Sequence, residues 1–144
     1  MRLSSPAVVS AAFLLTSAAA LAALPQTPGS KVLISQCDAQ PYNSGSQPAF
    51  LTLPYRGAQR AVLSIAYQNQ ASTPVTAVVF GLISSGKLVG IGEDAGRFSQ
   101  DAVVSHQLVL TQPVFPLGAQ THCVVLRVRY ADGSAWFNPA PPQF

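Results

Sequence analysis

Short runs of residues in which apolar and polar side chains alternate constrain the fold of this chain more than any other feature. In the clearest run, 60–68, Leu63, Ile65 and Tyr67 have one parity and the residues between them are small or polar. Alternation of period two is typical of a β-strand with one buried face. Further strand-like segments, separated by Gly, Pro, Asn, Asp and Ser, lie at 31–39, 50–53, 75–83, 88–91, 103–110, 121–130 and 134–137.

These segments predict an all-β domain, because no helical pattern follows residue 25. We expect a two-sheet antiparallel sandwich of seven or eight strands over 31–138. A closed barrel is the alternative, since the number of strands alone does not separate the two folds. A Pro-rich, extended tail is expected at 139–144.

The N-terminal residues have the pattern of a secretory signal peptide. Arg2 precedes an Ala-rich apolar run, and Ala20-Leu21-Ala22 fits the site after which signal peptidase cleaves. A retained membrane anchor is less favoured because the run is short for a span and the first downstream charge is Lys31. The prediction is a cleaved signal peptide at 1–22, an unstructured lead-in at 23–30, and a secreted or periplasmic chain without membrane insertion.

Two cysteines remain after cleavage, Cys37 and Cys123. In an oxidising compartment they are expected to form a disulfide, because only one intrachain pairing is possible. Such a bond closes a long loop, which chain-entropy arguments associate with about 4–5 kcal/mol of stabilisation. Since Cys123 shares strand parity with Arg127 and Arg129, we expect the bond near an outer face or edge rather than in the core.

Charge gives little reason to expect a nucleic-acid partner. The formal net charge of +3 includes Arg2, so the mature chain carries about +2 (3 − 1 = 2). Its basic residues are scattered and form no basic or acidic tail.

Two adjacent segments resemble a known family. Residues 63–69 (LSIAYQN) and 73–80 (TPVTAVVF) are similar to the second and third strands of secreted bacterial immunoglobulin-like domains of the FxLYD type. The resemblance implies an immunoglobulin-like sandwich and brings no catalytic or binding residues with it. The antibody-type signature is absent: Thr121 stands where a tyrosine would, and no Trp lies between the cysteines.

His106 and His122 are the only imidazoles. His106 shares parity with Val104 and Leu108, so we expect a half-buried ring that hydrogen-bonds to backbone or a polar side chain rather than to a metal. A small hydrolase is the opposing hypothesis, and a cleft that joins His106 to Asp94 or Asp101 would support it.

Neither a metal nor a cofactor is expected. A transition-metal site at His122 and Cys123 would need more ligands, and the mature chain has no methionine. The segment 92–101 is predicted to be a polar loop containing Glu93, Asp94 and Asp101. A Ca²⁺-binding module is an alternative for this loop, but its spacing differs from that of a calcium loop, so we favour a solvated turn.

Trp136 is the only tryptophan, and its position depends on the turn at Asp132-Gly133. A two-residue turn would place Trp136 on one face with Arg129 and Arg127, as a possible binding face. A three-residue turn with Gly133 in the left-handed region would place it opposite Val128, mostly buried. The sequence Ala-Asp-Gly favours the second turn.

Four aromatic residues in or beside predicted loops could form a binding rim, but we expect them to cover the ends of the sandwich: Tyr42, Tyr55, Phe98 and Phe115.

The sequence as a whole predicts a non-catalytic module. It is expected to bind or support an envelope or extracellular component through an unknown protein or glycan partner.

Overall fold

A computed structural model describes residues 26–41, 61–111 and 120–143. The predicted leader, the predicted strand at 50–53, and Tyr42, Tyr55 and Phe115 lie outside the described residues. The described residues form seven strands: β1 Val32–Pro41, β2 Ala61–Asn69, β3 Val75–Ser84, β4 Lys87–Phe98, β5 Val103–Val109, β6 Thr121–Tyr130 and β7 Ala135–Phe137.

The strands form two antiparallel sheets, which confirms the predicted all-β sandwich. One sheet has the order β1-β2-β5 and the other the order β4-β3-β6-β7. Contacts between β1 and β6 and between β4 and β5 join the sheets along two sides. Among the described residues, none forms a helix long and apolar enough to cross a membrane.

The core lies between the inner faces of the two sheets. Along β2, every second residue from Ala61 to Asn69 is buried, as the alternation in the sequence predicts. Tyr67 is the largest of the fully buried side chains. Its ring lies 5.1 Å from that of Phe80 and 5.8 Å from that of Phe98, so aromatic packing joins both sheets at this end of the core.

A β-bulge in β6 changes which of its residues face the core. Phe80 of β3 pairs with Val125, whereas Val79 pairs with Arg127, so Leu126 is an extra residue. The parity of the strand therefore reverses at Leu126. Both Val125 and Val128 face inward, although an unbroken strand would place them on opposite faces.

The bulge places the disulfide in the core. Cys37 and Cys123 are bonded, as predicted, with their Cα atoms 5.9 Å apart. Cys123 is only 3% exposed and belongs to the core, so the prediction that the bond lies outside the core was wrong. The predicted nearness to an edge holds for Cys37, which is partly buried on the edge strand β1. The bond joins β1 of one sheet to β6 of the other, and a disulfide indicates an oxidising, extracytoplasmic environment.

Strand β4 is longer than predicted, because it includes most of the segment interpreted as a polar loop. Gly90 and Gly92 lie beneath Leu108 and Leu110. A Cβ atom on Gly92 would lie 3.2 Å from Leu110 Cδ2 and 3.3 Å from Leu108 Cβ. Glycine therefore allows the β5 side chains to approach β4 closely, and an isolated bridge between Ile91 and Thr111 joins the two sheets beside them.

The turn between β6 and β7 confirms the predicted position of the tryptophan. Gly133 has φ +85°, and the Tyr130 N–H donates to the Ser134 carbonyl. Trp136 consequently pairs with Val128 and packs, partly buried, against the core.

Replacing both cysteines, Cys37→Ser with Cys123→Ser, is expected to lower the free energy of unfolding by about 2–5 kcal/mol, because the unfolded chain loses a long-range constraint. Denaturant unfolding of both proteins, with and without reductant, measures this. Reductant should destabilise the wild type and leave the double variant unchanged. Equal stability of the two oxidised proteins would contradict the expectation.

Candidate functional site

The carboxylate of Asp94 lies between the two sheets. Asp94 is on β4, has the same inward orientation as Gly92, and is only 5% exposed. The hydroxyl of Tyr67, on β2 of the opposite sheet, donates a hydrogen bond to Asp94 Oδ2 at 3.0 Å. Because a buried carboxylate is strongly unfavourable without hydrogen-bond donors, the Tyr67 hydroxyl stabilises the position of Asp94.

His106 of β5 is the second partner of this carboxylate. Its Nδ1 lies 2.7 Å from Asp94 Oδ2, and its side chain is 49% exposed. The expected hydrogen bond of His106 to backbone or a polar side chain is confirmed, and the partner is the side chain of Asp94. The hydrolase hypothesis requires a cleft that joins His106 to Asp94 or Asp101. This contact supplies the link between His106 and Asp94.

Burial raises the pKa of the Tyr67 hydroxyl far above its ordinary value, and the charge of Asp94 and the hydrogen bond to it act in the same direction. The phenol therefore remains a neutral donor to Asp94 at any physiological pH. Tyr67, Asp94 and His106 together form a polar link between the sheets, which we call the inter-sheet cluster.

The other acidic residues of the predicted loop do not join this cluster. Glu93 points to the opposite side of β4, where its Oε1 lies 3.8 Å from Nη2 of Arg127. Asp101 lies beyond the end of the strand with φ +61°. The prediction of a polar loop over 92–101 was wrong for 92–98, which belong to β4. Nowhere in the described part of the chain do three His, Cys, Asp or Glu side chains group as a metal site requires.

A pocket of about 450 Å³ lies on the outer face of the four-stranded sheet. Its floor includes Ile83 of β3 with His122 and Val124 of β6. Because Cys123 and Val125 face the core, these two β6 neighbours face outward. Gly86, in the turn between β3 and β4, also lines the pocket. Residues from both ends of the described chain complete it: Gln26, Thr27, Pro28, Asn138, Pro139, Ala140 and Pro142.

Hydrogen bonds hold the two terminal segments against the sheet. The Val125 N–H donates to Thr27 Oγ1 at 2.9 Å. Asn138 donates from its backbone to the Leu126 carbonyl at 2.9 Å and from Nδ2 to the Val125 carbonyl at 3.1 Å. Thr27 is buried, so the prediction of an unstructured lead-in was wrong for the described residues from 26 onward.

Further along the tail, the Leu88 N–H donates to the Gln143 carbonyl at 2.9 Å. The tail thus connects the β7 side of the sheet to β4, which limits how far the pocket can open. Nothing in the sequence indicated this pocket, because its lining combines outward residues of two strands with segments that have no periodic pattern.

The possible binding face formed by Trp136, Arg129 and Arg127 is not assembled. Trp136 packs against the core, whereas Arg129 is exposed and Arg127 lies beside Glu93. Phe98, one of the four aromatic residues considered for a rim, is 9% exposed within the core.

Tyr67→Phe is expected to reduce the free energy of unfolding at neutral pH by about 1–3 kcal/mol, because Asp94 loses a donor. In the wild type, stability should also fall as pH rises above 10.0, since the unfolded chain releases the Tyr67 proton while the folded chain retains it. This alkaline slope should be smaller in Tyr67→Phe. Unfolding curves collected across this pH range measure it, and equal slopes would contradict the expectation.

Comparison with known proteins finds no family model that matches the chain, no curated protein similar to it and no solved structure similar to it.

Proposed function

We propose that this chain is a secreted or periplasmic, non-catalytic module of immunoglobulin-like type. It binds another component of the envelope or extracellular space. The observation that carries the proposal is the pocket of about 450 Å³ on the outer face of the four-stranded sheet. Its volume is within the range of about 300–1,000 Å³ that is typical of sites for small ligands. The disulfide supports the extracytoplasmic location.

The lining of the pocket favours an apolar ligand with one polar group. Ile83, Val124 and three prolines supply apolar surface, and His122 is the only titratable side chain among the described lining residues. No Phe, Tyr or Trp is among them, so the stacking platform expected of a glycan site is missing from this part of the chain. We therefore favour an apolar molecule, or an apolar group of a protein partner, with a hydrogen-bonding group directed to His122.

The inter-sheet cluster supports the non-catalytic part of the proposal. Tyr67 and His106 both contact the same oxygen of Asp94, and the three residues come from three strands of the two sheets. A carboxylate held this way has a structural use, because it links β2 and β5 to β4 at the side of the sandwich opposite the disulfide.

Anilinonaphthalene sulfonate, an apolar dye with one polar group, is a suitable probe of the pocket. We expect the folded wild type to bind it with one-to-one stoichiometry in isothermal titration calorimetry. Ala140→Trp should weaken binding about tenfold or more, because the indole fills space beside the lining prolines.

Ala135→Trp is the matched control, since Ala135 is also an exposed alanine but lies on β7 outside the lining. It should bind the dye as the wild type does. Equal affinity of all three proteins, or no stoichiometric binding to the wild type, would contradict the pocket as a binding site.

The hydrolase remains a second candidate because of one observation, the 2.7 Å contact between His106 and Asp94. An aspartate that contacts Nδ1 leaves Nε2 of the same ring to act as a general base. The binding proposal predicts that His106→Gln and His122→Gln hydrolyse p-nitrophenyl acetate at the wild-type rate. Saturable hydrolysis that is lost only in His106→Gln would favour the enzyme.

A further inference from the structure

The free edge of β5 has none of the features by which edge strands usually avoid pairing with other chains. Among the described residues, β5 pairs only with β2, and the register of that pair has no irregularity. The strand Val103–Val109 contains no proline, lysine or other residue with a permanent charge. Charges, prolines and bulges are the common protections of an edge, so β5 is open to an added strand as far as the described residues show. Just beyond the strand, Thr111 is bonded on this side to Ile91 of β4.

The three other edge strands of the sheets differ from β5. Strand β4 carries charged side chains and has irregularities in its register with β3. Strand β1 has a register irregularity between Ile34 and Gln36 and is bonded to the second sheet through Cys37. Strand β7 has only three residues. None of the three offers a long, regular, uncharged edge.

The hydrogen bonds at the two ends of β5 show which backbone groups point to the free edge. The Leu110 N–H donates to the Ala61 carbonyl, and the Asn69 N–H donates to the Ala102 carbonyl. Hydrogen-bonded pairs alternate along an antiparallel ladder, so the even-numbered residues between these ends direct their backbone groups to β2. The odd-numbered residues direct theirs away from β2: Val103, Ser105, Gln107 and Val109.

The sequence of β5 is nearly symmetric about its centre. On either side of His106, Ser105 corresponds to Gln107 and Val103 to Val109. Val103 is 75% exposed and Val109 is 56% exposed. A second copy of β5, antiparallel and related by a two-fold axis at His106, would therefore pair each exposed valine with an exposed valine and each polar residue with a polar one.

We propose that this edge is an interface between two copies of the chain, which pair β5 against β5 and join their three-stranded sheets into one of six strands. The register centred on His106 pairs odd-numbered residues of one copy with odd-numbered residues of the other. These are the residues whose backbone groups are directed outward. Four such residue pairs with two hydrogen bonds each give about eight new backbone bonds. A two-fold interface of this kind is self-complementary and closes at the dimer.

Charge is compatible with this pairing. The register places no Asp, Glu, Lys or Arg of one β5 opposite another. Its central pair is His106 with His106, and each ring contacts Asp94 of its own chain. The pocket proposed as the binding site is on the outer face of the other sheet, so the dimer leaves it accessible.

A charge swap tests both the interface and its register. In the proposed dimer, residue 105 of one copy lies opposite residue 107 of the other. Ser105→Lys with Gln107→Lys places like charges opposite each other twice, and should raise the dimer dissociation constant at least about tenfold relative to wild type. Ser105→Lys with Gln107→Glu places opposite charges there and should restore wild-type dimerisation. Sedimentation velocity over a concentration series measures all three.

Gln36→Lys with Gln40→Lys is the control, because it adds the same charge to exposed positions of β1, at the other edge of the same sheet. It should dimerise as the wild type does, and circular dichroism should show that every variant is folded. A monomeric wild type at all concentrations would overturn the proposal. Dimerisation of the Lys–Lys variant at the wild-type dissociation constant would overturn it as well.

Discussion

Burial of one carboxylate between two sheets is the constraint on which the arrangement of this sandwich depends. Asp94 can lie in the interior only if donors from the opposite sheet reach it, and Tyr67 and His106 supply them. Gly92 next to it removes a side chain, so that Leu108 of β5 can approach β4. The disulfide joins β1 to β6 at the other side. One covalent link and one polar link thus close the two sides of the sandwich, and the pocket lies on the outer face of one sheet.

Local patterns in the sequence predict much of this fold. A strand whose two faces differ clearly in polarity is predicted well, as at β2, because only one orientation of an alternating strand buries its apolar residues. The Ala-Asp-Gly turn also gave the register of β7, since only Gly133 needs a positive φ. The pairing of Cys37 with Cys123 followed from the presence of only two cysteines. His106 was expected to hydrogen-bond to backbone or to a polar side chain, but the identity of that partner was left open.

The rest depends on contacts that no local pattern records. The polar, Gly-rich stretch of β4 is a strand because Leu108 and Leu110 pack over its glycines, so tertiary contacts override its turn-like composition. A single extra residue, Leu126, reverses the parity of β6 and moves the disulfide into the core. Buried Asn69 donates to the Phe98 carbonyl, a link between the ends of β2 and β4 that strand alternation alone did not indicate. The pocket requires both terminal segments, which lie far apart in sequence.

The location of the binding site is tested most directly by nuclear magnetic resonance, through the backbone amide shifts of ¹⁵N-labelled protein titrated with anilinonaphthalene sulfonate. The proposed function predicts saturable shifts centred on amides that line the pocket, including those of Thr27, His122 and Val124, with His106 and Asp94 unaffected. Shifts centred on His106 and Asp94 would contradict it and would move the functional site to the inter-sheet cluster.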